Sequence, residues 1–222
     1  MSIKKKLLPL AVSAAIAAPM MMGATVAQAD VSATLGAASM YLWRGQNLTP
    51  DGPQVSGSLD YSQGGFYAGA WITNETSGHE TDLYFGYGGS VGDFGYDVSY
   101  WKYLYPEDGT APNDSLGDTD ASDVVLSLSY GPVAFTAYVG VESDSTKDRY
   151  YTLSGDIQEF TVLFGKYDGR NANANGDYSH LQVSYAFNDN ISFTVSKASD
   201  DGAGIEEDPL FVVGYSKTFD LK

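Results

Sequence analysis

The chain has 222 residues, 12 basic and 28 acidic side chains and a formal net charge of −16, a balance that argues against a nucleic-acid binder, which needs a basic patch. No Cys and only two His are present, which excludes a disulfide framework, a thiolate zinc or iron–sulfur centre, a Cys nucleophile and a His-rich metal site. Charged residues are 18%, below the roughly 25% of soluble domains, while 17 Tyr and 25 Gly suit short strands at a membrane interface.

The first segment reads as an export signal. Lys4, Lys5 and Lys6 form a positive start, an uncharged apolar run begins at Leu7, and Ala27-Gln28-Ala29 supplies a small–x–small cleavage site before Asp30. Residues 1–29 are therefore expected to be a cleaved signal peptide and residues 30–222 the mature domain. No later stretch is long and apolar enough for a transmembrane helix.

After Asp30 the apolar residues recur at two. Val124, Leu126, Leu128 and Tyr130 alternate with Asp123, Val125, Ser127 and Ser129, and Leu181, Val183, Tyr185 and Phe187 alternate with His180, Gln182, Ser184 and Ala186. This is the period of a strand with two unlike faces. About twelve strands are expected, near 31–43, 53–62, 65–74, 80–91, 94–105, 122–130, 132–142, 149–155, 158–168, 177–187, 190–198 and 208–219. Tight connections fall at Gln63-Gly64, Gly92-Asp93, Gly131-Pro132, Asp156-Ile157 and Asn188-Asp189, and they hold the Gly, Asn, Asp and Pro that hairpin turns require. Longer polar connections are expected near 44–52, 75–79, 106–121, 143–148, 169–176 and 199–207.

Short and long connections alternate along the chain. An all-β, closed antiparallel transmembrane barrel obeys this rule, with short periplasmic turns and longer extracellular loops. Its physical cause is that backbone groups cannot remain unpaired in lipid, so the sheet must close on itself. At the C-terminus, Phe211, Val213, Tyr215 and Phe219 continue the alternation, broken by Lys217 and followed by Asp220, Leu221 and Lys222.

Tyr41-Leu42-Trp43-Arg44-Gly45-Gln46, Asp51-Gly52-Pro53, Asp60-Tyr61-Ser62 and Gly65-Phe66-Tyr67-Ala68-Gly69 resemble the opening of the TorF-type porins. Asp82-Leu83-Tyr84 and Gly92-Asp93-Phe94 are similar to the same family, and the likeness is best over roughly residues 30–105. It implies a porin-type outer-membrane barrel and gives architecture more firmly than cargo.

No motif carries catalysis. His180 and Ser184 share a strand face, but four strand residues span about 13 Å, too far for a hydrogen bond. No phosphate loop, paired-His motif or nucleophile elbow is present. The acids Glu107, Asp108, Asp114, Asp118, Asp120 and Asp123 form one stretch and Asp200, Asp201, Glu206, Glu207 and Asp208 another. Asp118-x-Asp120 could bind Ca²⁺ but lacks the Gly and terminal Glu of a calcium loop, so these stretches read as solvated exterior loops, with weak divalent bridging to lipopolysaccharide as the alternative. No catalytic, cofactor or metal residue is assigned.

If the apolar set of each strand faces lipid, Asp60, Asp82, Asp97, Asp123, Glu142 and Glu159 point into the lumen, and Arg44 is the basic residue near a strand end that shares that parity. A lumen lined by one sign of charge favours the opposite ion, so a mild cation preference is expected. Lys102, Lys166 and Lys197 instead continue the apolar parity of their strands and are expected at the outer rim, facing lipid and lipopolysaccharide. The expected function is passive diffusion of small hydrophilic solutes through an outer-membrane channel, without a cofactor. A structural or adhesive barrel with acidic loops and a lipid-acting barrel enzyme are the alternatives.

Overall fold

In a computed structural model, residues 30–50, 52–76, 78–105, 121–142, 148–169, 176–200 and 205–221 are described. The expected signal segment 1–29 and most of the acidic loops near 106–120 and 201–204 lie outside the described residues. Twelve antiparallel strands close into a barrel: β1 (Asp30–Ala38), β4 (Gln54–Gln63), β5 (Phe66–Glu75), β6 (Gly78–Val91), β7 (Phe94–Leu104), β8 (Ala121–Tyr130), β9 (Val133–Glu142), β10 (Arg149–Ile157), β11 (Phe160–Asp168), β12 (Tyr178–Ala186), β13 (Ile191–Asp200) and β14 (Leu210–Leu221). The ring is closed by β1, which pairs with β4 on one side and β14 on the other, placing Val31 opposite both Tyr61 and Leu221. The remaining strands, β2 (Leu42–Trp43) and β3 (Gln46–Asn47), form a separate two-stranded hairpin between β1 and β4.

The period of two sets the two faces. Leu83, Phe85, Val98, Leu126, Phe164, Val183 and Phe211 belong to the exposed outer set, and Asp97, Ser99, Ser127, Thr136, Ser184 and Thr194 to the buried inner set. Inner hydroxyls bond directly across strand pairs. Ser127 and Thr136 lie 2.9 Å apart, Ser184 and Thr194 3.0 Å, and Thr34 and Thr218 2.9 Å, each pair in register. Such cross-strand pairs satisfy polar side chains and fix register, because a one-residue slip would turn the apolar face inward.

One end of the barrel carries the start of β1, the end of β14 and the turns 64–65, 92–93, 131–132, 158–159 and 187–190. At Gly64-Gly65 both residues have positive φ (58° and 91°), the mirror-image hairpin turn that fits strand twist and favours glycine.

Three expectations are corrected. Residues 31–43 are not one strand: β1 ends at Ala38, and the chain then folds into the β2–β3 hairpin. The connection expected at 75–79 shrinks to residues 76–77, because β5 and β6 both continue into polar sequence. Glu159 lies in an exposed turn with Gln158, whose φ is 59°, so it is not carried by a strand. The C-terminal strand, expected at 208–219, is shifted by two residues to Leu210–Leu221 and so includes Asp220 and Leu221.

Candidate functional site

The β2–β3 hairpin enters the barrel from the end opposite the short turns and makes its contacts inside. It is closed locally by the Leu48 amide on the Tyr41 carbonyl (2.8 Å), the Tyr41 amide on Thr49 Oγ1 (2.7 Å) and the Thr49 amide on Asn47 Oδ1 (2.9 Å). Its base is tied to the β5–β6 connection, where the Leu48 carbonyl accepts the Thr76 amide (3.1 Å) and hydroxyl (2.7 Å). Tyr41 reaches the near wall, donating to Glu80 of β6 at 3.3 Å and packing against Trp71 of β5.

The hairpin tip reaches the far wall. Arg44 Nη2 lies 2.6 Å from Asp123 Oδ2 on β8, and the Tyr103 hydroxyl of β7 donates to the same oxygen at 3.0 Å. The guanidinium carbon stands 4.4 Å from the Trp43 ring centre, 5.1 Å from that of Tyr138, 5.0 Å from that of Tyr150 and 5.9 Å from that of Tyr167. Gln46 donates to the Tyr178 hydroxyl of β12 at 2.7 Å. Burial works against the charge of Arg44, but Asp123 and its neighbours more than offset it, so its pKa lies above the ordinary arginine value.

Register builds the seat. Tyr138, Tyr150, Tyr167 and Tyr178 are direct cross-strand partners on β9 to β12, so four rings form one row. Beside it, β8 and β9 slip register between Ser122 and Asp123: Ser122 faces Glu142 while Asp123 faces Gly140. Such bulges re-aim side chains. Gly45 approaches His180 so closely that an added Cβ would lie 2.6 Å from its Cγ, and its φ is +87°.

The interior is filled at this level. Tyr178 and Asp82 have no exposed surface, Tyr150 keeps 3% and Tyr103 keeps 5%. Phenols meet carboxylates along the near wall: Tyr84 donates to Asp60, and Tyr67 to Asp97 at 2.9 Å. Asp82 is different. Among the described residues neither of its oxygens has a partner beyond the neighbouring Glu80 carboxyl, whose Oε1 likewise has no other.

Asp60, Asp82, Asp97 and Asp123 thus lie among interior side chains, with Arg44 brought to Asp123 by the hairpin. The Glu142 side chain lies outside the described residues. Lys102 is in register with the exposed Leu83, Lys197 with the exposed Leu181, and Lys166 with Tyr151, which packs on the exposed Phe135. Among the described residues His180 hydrogen-bonds Tyr150 (2.7 Å) through Nε2 and has no partner at Nδ1, so no Ser or Thr hydroxyl is paired with it there. Sequence reading missed Glu80, although it shares the Asp82 parity. It also missed the tyrosine row, whose members are in phase within their strands but become neighbours only through register.

Residues 23–179 match a family of bacterial proteins of unknown function, Gcw_chp. The chain belongs to the Gcw_chp family. No curated protein matches it in sequence. Among solved structures, it is similar to OccK2 (OpdF) of Pseudomonas aeruginosa in complex with glucuronate, at 14% identity over 86% of this chain and 68% of that one, with a TM-score of 0.43. It is also similar to OccK5 (OpdH) of P. aeruginosa, at 15% identity over 84% of this chain and 63% of that one, with a TM-score of 0.44. Outer membrane phospholipase A from Escherichia coli is similar at 12% identity, over 87% of this chain and 92% of that one, with a TM-score of 0.42. The chain spans about two thirds of the length of the two Pseudomonas proteins.

Proposed function

We propose that this Gcw_chp member is an outer-membrane channel of porin type, exported by a cleaved signal peptide, whose path is restricted by the β2–β3 hairpin. The observation that carries this reading is a closed barrel with an apolar exterior and an interior lined by hydroxyls and carboxylates. Water is a poor solvent for such an exterior, whereas lipid accepts it, and closure leaves no strand edge unpaired. The likeness of residues 30–105 to TorF-type porins points the same way.

The solutes are small and hydrophilic. Among the described residues, the interior sets Asp60, Glu80, Asp82, Asp97 and Asp123 against Arg44, which supports a cation preference. Lys102, Lys166 and Lys197 form an outer-rim girdle whose ammonium groups snorkel toward the phosphates of lipopolysaccharide. The barrel performs no covalent chemistry in this reading; the lipid-acting enzyme remains the weaker alternative because His180 pairs with Tyr150.

The filled interior favours a second reading, a structural or adhesive barrel. Planar-bilayer recording of the refolded mature chain separates the two. The channel reading expects small cation-selective currents that grow several-fold when residues 40–50 are replaced by a Gly-Ser linker. Silence from both proteins would leave the structural barrel, and anion selectivity would overturn the charge argument.

A further inference from the structure

Arg44 occupies a place built like a binding site. Its guanidinium is faced by four rings and one carboxylate. Of these groups only Trp43 travels with the hairpin. Tyr138, Tyr150 and Tyr167 stand in one cross-strand row, and Asp123 is held on the wall by the Tyr103 hydroxyl. The wall therefore keeps an aromatic and anionic box whether or not the hairpin is seated. Aromatic faces attract a cation through their quadrupoles, and a carboxylate takes a planar guanidinium through directed, charge-assisted hydrogen bonds.

The occupant is held less firmly than its box. The hairpin has two residues per strand, whereas a lone two-stranded ribbon is marginal even when longer. Arg44 has φ 47°, in the left-handed region that costs a non-glycine residue backbone strain. The strain is tolerated because the side chain is fixed at its far end.

The geometry points to a binding site for small planar organic cations of the guanidinium class on the β8–β11 wall, with Arg44 as a tethered occupant that such a ligand displaces. This deepens the channel reading by naming a cargo class, and it rests on that reading for the route by which the ligand arrives. A tethered group competes at an effective concentration in the millimolar range, so the site shows itself most clearly once the tether is shortened.

The test uses ethylguanidinium as probe and ethylurea as its uncharged planar counterpart, with the refolded mature chain in detergent micelles. Saturation-transfer NMR on the probe reads binding without needing conduction. Arg44→Ala is expected to bind ethylguanidinium at least tenfold more tightly than ethylurea, and adding Asp123→Asn is expected to remove that preference. The unmodified chain is expected to bind ethylguanidinium at least fivefold more weakly than Arg44→Ala. Equal binding of the two probes by folded Arg44→Ala would overturn the proposal, as would binding to the unmodified chain as tight as to the variant. Should Arg44→Ala not fold, the Gly-Ser replacement of residues 40–50 leaves the wall rings and Asp123 in place and carries the same comparison. A barrel that binds ethylguanidinium selectively but passes no current keeps the site and removes the channel; a conducting barrel without that selectivity does the reverse.

Discussion

Neutralising the contact between Arg44 and Asp123 should free the hairpin while leaving the barrel closed. The two side chains keep only 10% and 8% of their surface and approach to 2.6 Å. Unit charges about 4 Å apart attract by about 4 kcal/mol at an effective dielectric constant of roughly 20. Removing one member of a buried pair costs about 3–5 kcal/mol, because the other charge is left desolvated without its partner. Arg44→Ala also gives up contacts with four rings, worth about 0.5–2 kcal/mol each where desolvated. Asp123→Asn keeps an oxygen for the Tyr103 hydroxyl, so it reports mainly on charge. Either single change should raise the open population of the hairpin about 100-fold or more, and the double variant should open little further. That pattern corresponds to a coupling energy of about 2–4 kcal/mol. Amide hydrogen exchange at Leu48, whose N–H bonds to the Tyr41 carbonyl within the hairpin, reads this opening locally. Exchange in the barrel strands serves as the internal control. A coupling below about 1 kcal/mol, the range of exposed pairs, would refute the reasoning.

Gly45→Ala should unseat the same hairpin by about 1–2 kcal/mol or more, since alanine at φ +87° is strained and its Cβ meets the His180 ring. Gly52→Ala, which meets nothing within 4 Å, should leave Leu48 exchange unchanged, and equal effects of the two would contradict the close approach. Cysteines placed at Lys102, Lys166 and Lys197 should leave conductance unaffected by an impermeant thiol reagent that blocks lumenal positions; block at all three would put them inside.

Much of the architecture is written in the chain because strand faces are a local property. The alternation of Val124, Leu126 and Leu128 with Val125, Ser127 and Ser129 is enough to assign two faces to β8, and turn chemistry such as Gly131-Pro132 separates it from β9. Repeated around the chain, these rules give a closed barrel of about twelve strands. They fail where a local pattern is ambiguous. Met40-Tyr41-Leu42-Trp43 is apolar enough to extend β1, yet it leaves the wall because the inner surface offers these side chains partners: Glu80 and Trp71 for Tyr41, Tyr167 for Trp43. Residues 75–79 look like loop by polarity, but β5 runs on to Glu75 and β6 begins already at Gly78, because cross-strand pairing there does not need an apolar face.

The sequence by itself therefore determined the two faces of the regular strands, because a period of two needs only neighbours along the chain, but not where a turn such as 158–159 takes Glu159 off the wall. The tertiary structure alone decided which inward residues meet. Tyr138, Tyr150, Tyr167 and Tyr178 come from four strands and become one row through register, and Asp123 joins them beside a slip in the β8–β9 pairing. The Arg44 contact depends on a hairpin crossing the lumen to a residue 79 positions away. Register and crossing are set by the summed pairing of the closed sheet, so neither the cage nor its occupant could be read from a single strand.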